Sequence, residues 1–109
     1  MPRVIELLRY QREDGREPFT EWLTSVRDKI GAARIRVRLR QVEAGNFGDC
    51  EAVGEGVIEL RVHVGPGYRI YCGRNGKAVV LLLCGGDKSS QARDIKRAKE
   101  LWSEWKQRQ

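Results

Sequence analysis

The sequence has few of the residues on which several common kinds of site depend. Its 109 residues include one histidine and three cysteines, and no two cysteines form a C-x-x-C pair. Because a structural zinc ion takes four cysteine or histidine ligands, no metal site is expected, and no other cofactor either. An odd number of widely spaced cysteines argues against a disulfide framework. Cys72 and Cys84 lie in apolar runs, and we expect them to be packed free thiols in a reducing cytosol.

Long apolar segments are also missing. The chain is charged from Arg3 onward, and it has no apolar segment of signal-peptide length near its start. The longest apolar run, at residues 78–84, is far too short to cross a bilayer. These absences predict a cytoplasmic protein without a membrane partner.

The composition is that of a globular protein with a basic surface. Hydrophobic residues make up 40% of the chain and charged residues 33%, and the length corresponds to a single domain over residues 1–109. The formal net charge of +6 favours a polyanionic partner, either nucleic acid or an acidic protein segment. A basic domain that is merely soluble is the alternative. The clustering of the basic residues favours nucleic acid.

The first half of the chain predicts a strand and two helices. Alternating apolar residues indicate a strand at residues 4–10. Pro18 suits the first turn of a helix, and apolar residues follow it at helical spacing as far as Val26. Gly31 is expected to interrupt the helical pattern, and a second helix is predicted over residues 32–44. The two helices should form a hairpin that packs on a sheet by its apolar stripes.

The second half predicts a β-meander and a last helix. A short edge strand at residues 50–53 precedes strands at 57–64, 68–73 and 78–84, and the last of these is continuously apolar, which is typical of a strand covered on both faces. The final helix is expected to be capped by Ser89 or Ser90 and to extend to about Lys106.

The hairpin at residues 59–73 carries an unusual concentration of cations on one face. If the chain turns at residues 65–67, His63 lies opposite Arg69, and Arg61 lies opposite Tyr71. Arginines this close repel each other unless an anion lies between them, so the face is a candidate phosphate site. Each residue also has an ordinary alternative. Arg61 could pair with Glu59, His63 could be a surface histidine, and Tyr71 could pack on the sheet.

Two further groups of residues could add to such a site. Residues 85–90 read Gly-Gly-Asp-Lys-Ser-Ser and do not match the phosphate-loop spacing, but Lys88 beside a helix N-terminus could still bind an anion. Four arginines on the second helix could contact nucleic acid or could simply be solvated. Metal-free RNA cleavage needs a base, cations and an acid, and this face offers candidates for all three. The catalytic candidates are Arg61, His63, Arg69, Tyr71 and Lys88, and the RNA-binding candidates are Arg34, Arg38, Ser89, Ser90 and Gln91.

Three stretches resemble a known family. The sequence at residues 59–62 (Glu-Leu-Arg-Val), at 65–71 (Gly-Pro-Gly-Tyr-Arg-Ile-Tyr) and at 85–91 (Gly-Gly-Asp-Lys-Ser-Ser-Gln) is similar to RelE/HigB-type toxins of bacterial type II toxin–antitoxin modules. The branch it resembles most is the one labelled addiction-module killer proteins. The likeness covers nearly the whole chain, including residues 18–23 and 45–49.

The resemblance implies both a fold and an activity. The fold would be α+β, with a curved antiparallel sheet, an N-terminal strand, a helical hairpin, a β-meander and a C-terminal helix. The activity would be that of a metal-free endoribonuclease that cuts mRNA on the ribosome and so inhibits translation. Its partner would be a cognate antitoxin of helix-turn-helix type. Arg61 matches the family's catalytic arginine, Arg69 matches the arginine of its Gly-Tyr-Arg strand, and Lys88 matches a later basic residue.

The sequence departs from the family at one point. A functional tyrosine at the start of the C-terminal segment has no counterpart in residues 89–94. His63, Tyr71 and Lys88 are therefore the candidates for proton transfer, whereas Gln91 could only orient or bind. Two alternatives stand beside the nuclease: a ParE-like gyrase inhibitor without nuclease activity, and a non-catalytic nucleic-acid-binding module.

Overall fold

The protein combines one five-stranded sheet with helices on both of its faces. The computed structural model describes residues 4–109. In chain order the elements are β1 (Glu6–Arg9), α1 (Pro18–Ser25), α2 (Lys29–Glu43), β2 (Cys50–Gly54), β3 (Val57–Val62), β4 (Tyr68–Asn75), β5 (Val79–Asp87), a short 3₁₀ turn (Lys88–Ser90) and α3 (Gln91–Gln107).

The strand order is β1-β5-β4-β3-β2. Strands β2 to β5 form the predicted antiparallel meander, whereas β1 pairs with β5 in parallel, with Glu6 opposite Val79. The predicted α+β fold is confirmed, but the sheet is mixed, and the prediction that it is antiparallel is wrong for β1. No hairpin turn joins β1 to its neighbour, so local turn signals could not reveal its direction.

Two apolar cores lie on opposite faces of the sheet. On one face α1 and α2 pack through Phe19 and Ile35, and on the other α3 packs through Leu101 and Trp102. Strand β5 contributes to both cores, as its continuous apolar run predicted. No helix formed by residues 4–109 is long and apolar enough to cross a membrane.

Gly31 lies inside α2 and does not interrupt it, so the predicted break is wrong. The helix begins earlier, at Lys29, where the carboxylate of Asp28 accepts a hydrogen bond from the backbone N–H of Ile30 at 3.1 Å. A Cβ at position 31 would lie 2.5 Å from the ring of Tyr68. The missing side chain therefore lets the β4 tyrosine pack against the first turn of α2.

The β3–β4 hairpin has a longer loop than predicted. Strand β3 ends at Val62, which lies opposite Tyr68, and Arg61 lies opposite Arg69. The predicted pairs of His63 with Arg69 and of Arg61 with Tyr71 are therefore wrong. Glycines at 65 and 67 adopt φ of 55° and 79°, which suits a loop of five residues at 63–67. Because the register differs by an even number of residues, each side chain still points to the predicted face.

The two buried cysteines are free thiols, as predicted. Cys72 and Cys84 are buried, whereas Cys50 is exposed on β2. Burial raises the pKa of each buried thiol from 9.0 to about 12. Neither is therefore an ionised nucleophile at neutral pH.

Candidate functional site

The predicted cationic face lies at one end of the sheet, on the side that α3 partly covers. Arg61 on β3 and Arg69 on β4 are directly opposite each other, so their side chains leave the sheet on the same face. Residue 86 on β5 continues this row and is a glycine. A side chain there would meet the carboxylate of Asp94, since a Cβ would lie 1.9 Å from its Oδ2. Toward β5 the row therefore ends at Arg69, with no side chain beyond it.

Glu59 supplies the anion that the two arginines require. It is fully buried, one row from the arginines. Its Oε1 accepts hydrogen bonds from Arg61 Nε at 3.2 Å and from Arg69 Nη1 at 3.3 Å. Its Oε2 accepts from the hydroxyl of Tyr71 at 3.0 Å and from the amide of Gln91 at 2.9 Å. Arg61 therefore pairs with Glu59, which the sequence analysis gave as the ordinary alternative for Arg61.

Two exposed carboxylates also contact Arg61. Its Nη1 is 3.4 Å from Oδ1 of Asp49, and its Nη2 contacts Oε2 of Glu51 on the edge strand β2. Burial alone would lower the pKa of Arg61, but hydrogen bonds and charge from Glu59, Glu51 and Asp49 outweigh it and raise that pKa. The cationic face is therefore compensated by the chain's own acidic residues.

His63 lies in the β3–β4 loop with its side chain 73% exposed. Its Nε2 is 2.5 Å from Oδ2 of Asp49. Asp49 thus contacts both His63 and Arg61, one with each carboxylate oxygen. The hydrogen bond from His63, together with the charge of Arg61, lowers the pKa of Asp49 despite partial desolvation. An ionised carboxylate only accepts, so Nε2 of His63 carries the proton in this contact.

Tyr71 is not available to a substrate, and its prediction as a catalytic residue is wrong. The side chain is fully buried in the core beneath α3, and its hydroxyl is committed to Glu59. Burial raises the pKa of the phenol far above its ordinary value, and the charge of Glu59 raises it further. A group so placed neither stacks on a base nor exchanges a proton with bulk solvent at neutral pH.

Lys88 and the residues after it lie next to the hairpin loop. Lys88 is exposed in the 3₁₀ turn, and its Cβ lies 3.6 Å from the position a Cβ would take at Gly67. Ser90, one of the two predicted positions, is the N-cap residue of α3, but its side chain makes no capping hydrogen bond. Asp87 caps the preceding 3₁₀ turn and accepts from the backbone N–H of Ser89 at 2.9 Å. The hydroxyl of Ser89 donates to Asp87 as well, and that of Ser90 donates to Asp94, each at 2.5 Å. The predicted anion site at this terminus is thus satisfied internally by carboxylates.

The two α2 arginines differ in exposure. Arg34 is exposed and shares a groove of about 330 Å³ with Arg61 and His63. Arg38 is 7% exposed, and its guanidinium donates to the backbone carbonyls of Phe47, Asp49 and Arg61. The expectation that Arg38 is a surface residue that contacts RNA is therefore wrong.

A second cleft is lined in part by residues already described, namely Gly86, Asp87, Ser90 and Asp94. It has a volume of about 530 Å³ and lies between α1 and α3, with Trp22, Asp94 and Arg97 in its walls. Its lining mixes acidic and basic side chains. Within residues 4–109, no three histidine, cysteine or acidic side chains are grouped to hold a metal ion.

The sequence patterns did not identify the acidic half of the site. Glu59 was recognised only as a possible ion-pair partner, and the roles of Asp49 and Glu51 were missed. Alternation along β3 indicates the role of Glu59, because Glu59 and Arg61 are two residues apart on one strand and therefore share a face. Placing Asp49 and Glu51 beside them required the β2–β3 register, in which Glu51 lies opposite Glu59.

The fold and site define a small α+β protein with two arginines joined by a buried glutamate on one face of its sheet. The chain is 44% identical over 86 residues to an uncharacterized protein of Haemophilus influenzae. The matched region covers 79% of this chain and 87% of that protein. The chain belongs to the same family as that protein. No protein-family model matches the sequence.

Proposed function

We propose that the protein is the toxin of a type II toxin–antitoxin module of RelE/HigB type, a metal-free endoribonuclease that cleaves mRNA and inhibits translation. The observation that carries the proposal is the row of Arg61 and Arg69 at one end of the sheet, next to the loop that contains His63 and that Lys88 approaches at Gly67. The resemblance at residues 59–71 and 85–91 supports the same conclusion, since it includes Arg61, Arg69 and Lys88.

The chemistry is an internal displacement at phosphorus. The ribose 2′-hydroxyl loses its proton to a base, and its oxygen forms a bond to the adjacent phosphorus. The bond from phosphorus to the 5′-oxygen breaks, and that oxygen takes a proton. The products carry a 2′,3′-cyclic phosphate and a 5′-hydroxyl. Arginines stabilise the charge that develops on the phosphate oxygens, and a fork of N–H donors suits them to it.

His63 is the proton-transfer group that the geometry favours once Tyr71 is excluded. Its exposure lets it reach RNA, and Asp49 orients its ring by accepting from Nε2. The opposite ring nitrogen, Nδ1, then takes the proton from the 2′-hydroxyl. Lys88, exposed beside the loop, is placed to contact a neighbouring phosphate. Arg34 extends the basic groove along α2 and binds the RNA backbone.

The proposed setting is the cytoplasm, where the mRNA is held on the ribosome. A cognate antitoxin, of helix-turn-helix type by resemblance, would bind the toxin and keep it inactive. The net charge of +6 is consistent with both RNA and an acidic antitoxin segment.

Expression in cells tests the role of Arg61. The unsubstituted chain, produced without an antitoxin, should arrest growth, and Arg61→Ala should not. Immunoblots should show equal protein levels, and thermal melting of the purified proteins should show that both fold. Growth arrest by Arg61→Ala at an equal level contradicts the assignment.

Purified protein distinguishes the nuclease from its alternatives. Incubation with programmed ribosomes should yield cut mRNA with 2′,3′-cyclic phosphate ends. Treatment of the purified protein with EDTA, removed before the ribosomes are added, should not lower the cleavage. Trapped gyrase on supercoiled DNA, with mRNA left intact, would instead support the gyrase inhibitor. RNA binding without cleavage would support the non-catalytic module.

A further inference from the structure

Glu59 accepts hydrogen bonds from two neutral side chains as well as from the two arginines, so it does more than neutralise their charge. Each of its two carboxylate oxygens accepts two hydrogen bonds, with donor distances of 2.9 to 3.3 Å. The donors come from three elements: Arg61 on β3, Arg69 and Tyr71 on β4, and Gln91 at the start of α3. A buried carboxylate is stable only when paired and hydrogen-bonded in this way. The arrangement fixes Glu59, and Glu59 in turn fixes its donors.

Different carboxylates contact the different nitrogens of the Arg61 guanidinium. Glu59 takes the Nε–H and is fully buried, whereas Asp49 and Glu51 take the terminal nitrogens and are exposed. Exposed ion pairs contribute little to stability and are readily exchanged. A phosphate can therefore replace Glu51 and the Oδ1 contact of Asp49 at the terminal nitrogens, while Oδ2 of Asp49 keeps its contact with His63 and Glu59 keeps the Nε–H. Arg69, which contacts the same Oε1, is held beside it.

We propose that Glu59 is a positioning residue that sets the orientation of Arg61 and Arg69 toward phosphate, and that Asp49 and Glu51 occupy the phosphate position until RNA arrives. The inference rests on the proposed function, because it assigns Glu59 a role in RNA cleavage. It goes beyond that function because it assigns to the Glu59 carboxylate the orientation of both arginines.

Two matched substitutions test the proposal. Glu59→Gln and Glu51→Gln each remove one negative charge from a neighbour of Arg61, one buried and one exposed. We expect Glu59→Gln to lower kcat for RNA cleavage by about 100-fold, since a small misplacement of a catalytic group has effects of that size. Its KM should change little. Glu51→Gln should keep kcat and lower KM, because it removes a competitor of phosphate.

The outcomes separate positioning from a structural role. Thermal melting and circular dichroism establish that each variant folds. Unchanged kcat in a folded Glu59→Gln variant overturns the proposal, and so does an equal response of the two variants. If Glu59→Gln does not fold, Glu59→Asp keeps the charge but withdraws the carboxylate by one methylene. It should lose kcat while folded, and full activity of folded Glu59→Asp likewise overturns the proposal.

A measurement on the unsubstituted protein does not depend on cleavage. Inorganic phosphate is titrated while NMR follows the Nε–H of Arg61 and the side-chain carboxylates of Asp49 and Glu51. The carboxylate signals should shift, and the Nε–H should stay protected from hydrogen exchange because Glu59 retains it. Loss of that protection on phosphate binding overturns the proposal. If the unsubstituted protein cuts no RNA, the proposed function fails, and this titration still decides whether Glu59 positions the arginines for phosphate.

Discussion

Arg38 of α2 donates its Nε–H to the backbone carbonyl oxygen of Arg61, 2.9 Å away. The same guanidinium donates through Nη2 to the carbonyls of Phe47 and Asp49, at 2.5 and 2.9 Å. A buried arginine thus ties the helix to β3 at the proposed catalytic residue and to the loop that carries Asp49. The two arginines have opposite roles, since one binds backbone within the fold and the other faces the site.

Replacing Arg38 should destabilise the protein. We expect Arg38→Met to lower the free energy of unfolding by about 2–4 kcal/mol, because three partly buried carbonyl oxygens lose a charged donor. Urea denaturation followed by circular dichroism measures the change. Arg34→Met, four residues earlier and exposed, is the matched control and should change stability by less than about 0.5 kcal/mol. Equal effects of the two substitutions would show that the carbonyl contacts do not stabilise the fold.

Tyr71→Phe should affect stability without changing the chemistry. The substitution removes one donor to the buried Glu59, at a cost of about 1–3 kcal/mol. If the protein cleaves RNA as proposed, the pH–rate profile between pH 5 and 9 should keep its shape, because the buried phenol does not ionise in that range. Cleavage of RNA across this range is the measurement. Loss of one limb of the profile would return Tyr71 to the catalytic candidates.

His63→Ala should slow cleavage by about 10²- to 10⁴-fold, the usual contribution of general acid–base catalysis. Asp49→Asn should give a smaller loss in the same direction, since the ring keeps its chemistry but loses its orienting partner. The matched control is Glu51→Gln, which also removes a carboxylate from Arg61 but does not contact His63. A rate for His63→Ala within threefold of the unsubstituted protein would favour Lys88 for the proton transfer.

The sequence predicted which residues share a face but not how the strands align. Alternation was enough to place Arg61, His63, Arg69 and Tyr71 on one side of the hairpin. The register depended on loop length, and residues 65–67 read as a three-residue turn although the loop covers five. In the observed register Glu59, and not Arg61, lies opposite Tyr71. Burial depends on which helix covers each face, and the sequence could not show that α3 covers Tyr71 or that the loop at 47–49 encloses Arg38.

Alkaline pH should destabilise the protein through its buried thiols. The folded pKa of Cys72 is about 12 against 9.0 for an ordinary thiol, so the folded state favours the neutral form. Its contribution to stability is fully present below pH 9 and is lost as the pH rises toward 12. The free energy of unfolding between pH 9 and 10, measured by urea denaturation, should fall less steeply in Cys72→Ala. An equal slope in Cys72→Ala and in the unsubstituted protein would contradict the prediction.

The parallel pairing of β1 with β5 sets an order for folding. About two thirds of the chain separates Glu6 from its partner Val79, so the loop that must close is long and the pairing is expected late. The β2–β5 meander joins neighbours in sequence and can form first. During synthesis the N-terminal strand leaves the ribosome first and yet waits for residues 79–82 before it can pair. Until then Ile5 and Tyr10, which flank β1 and are buried in the folded protein, lack their native cover, and a chain that stops short of β5 should aggregate where the complete chain folds.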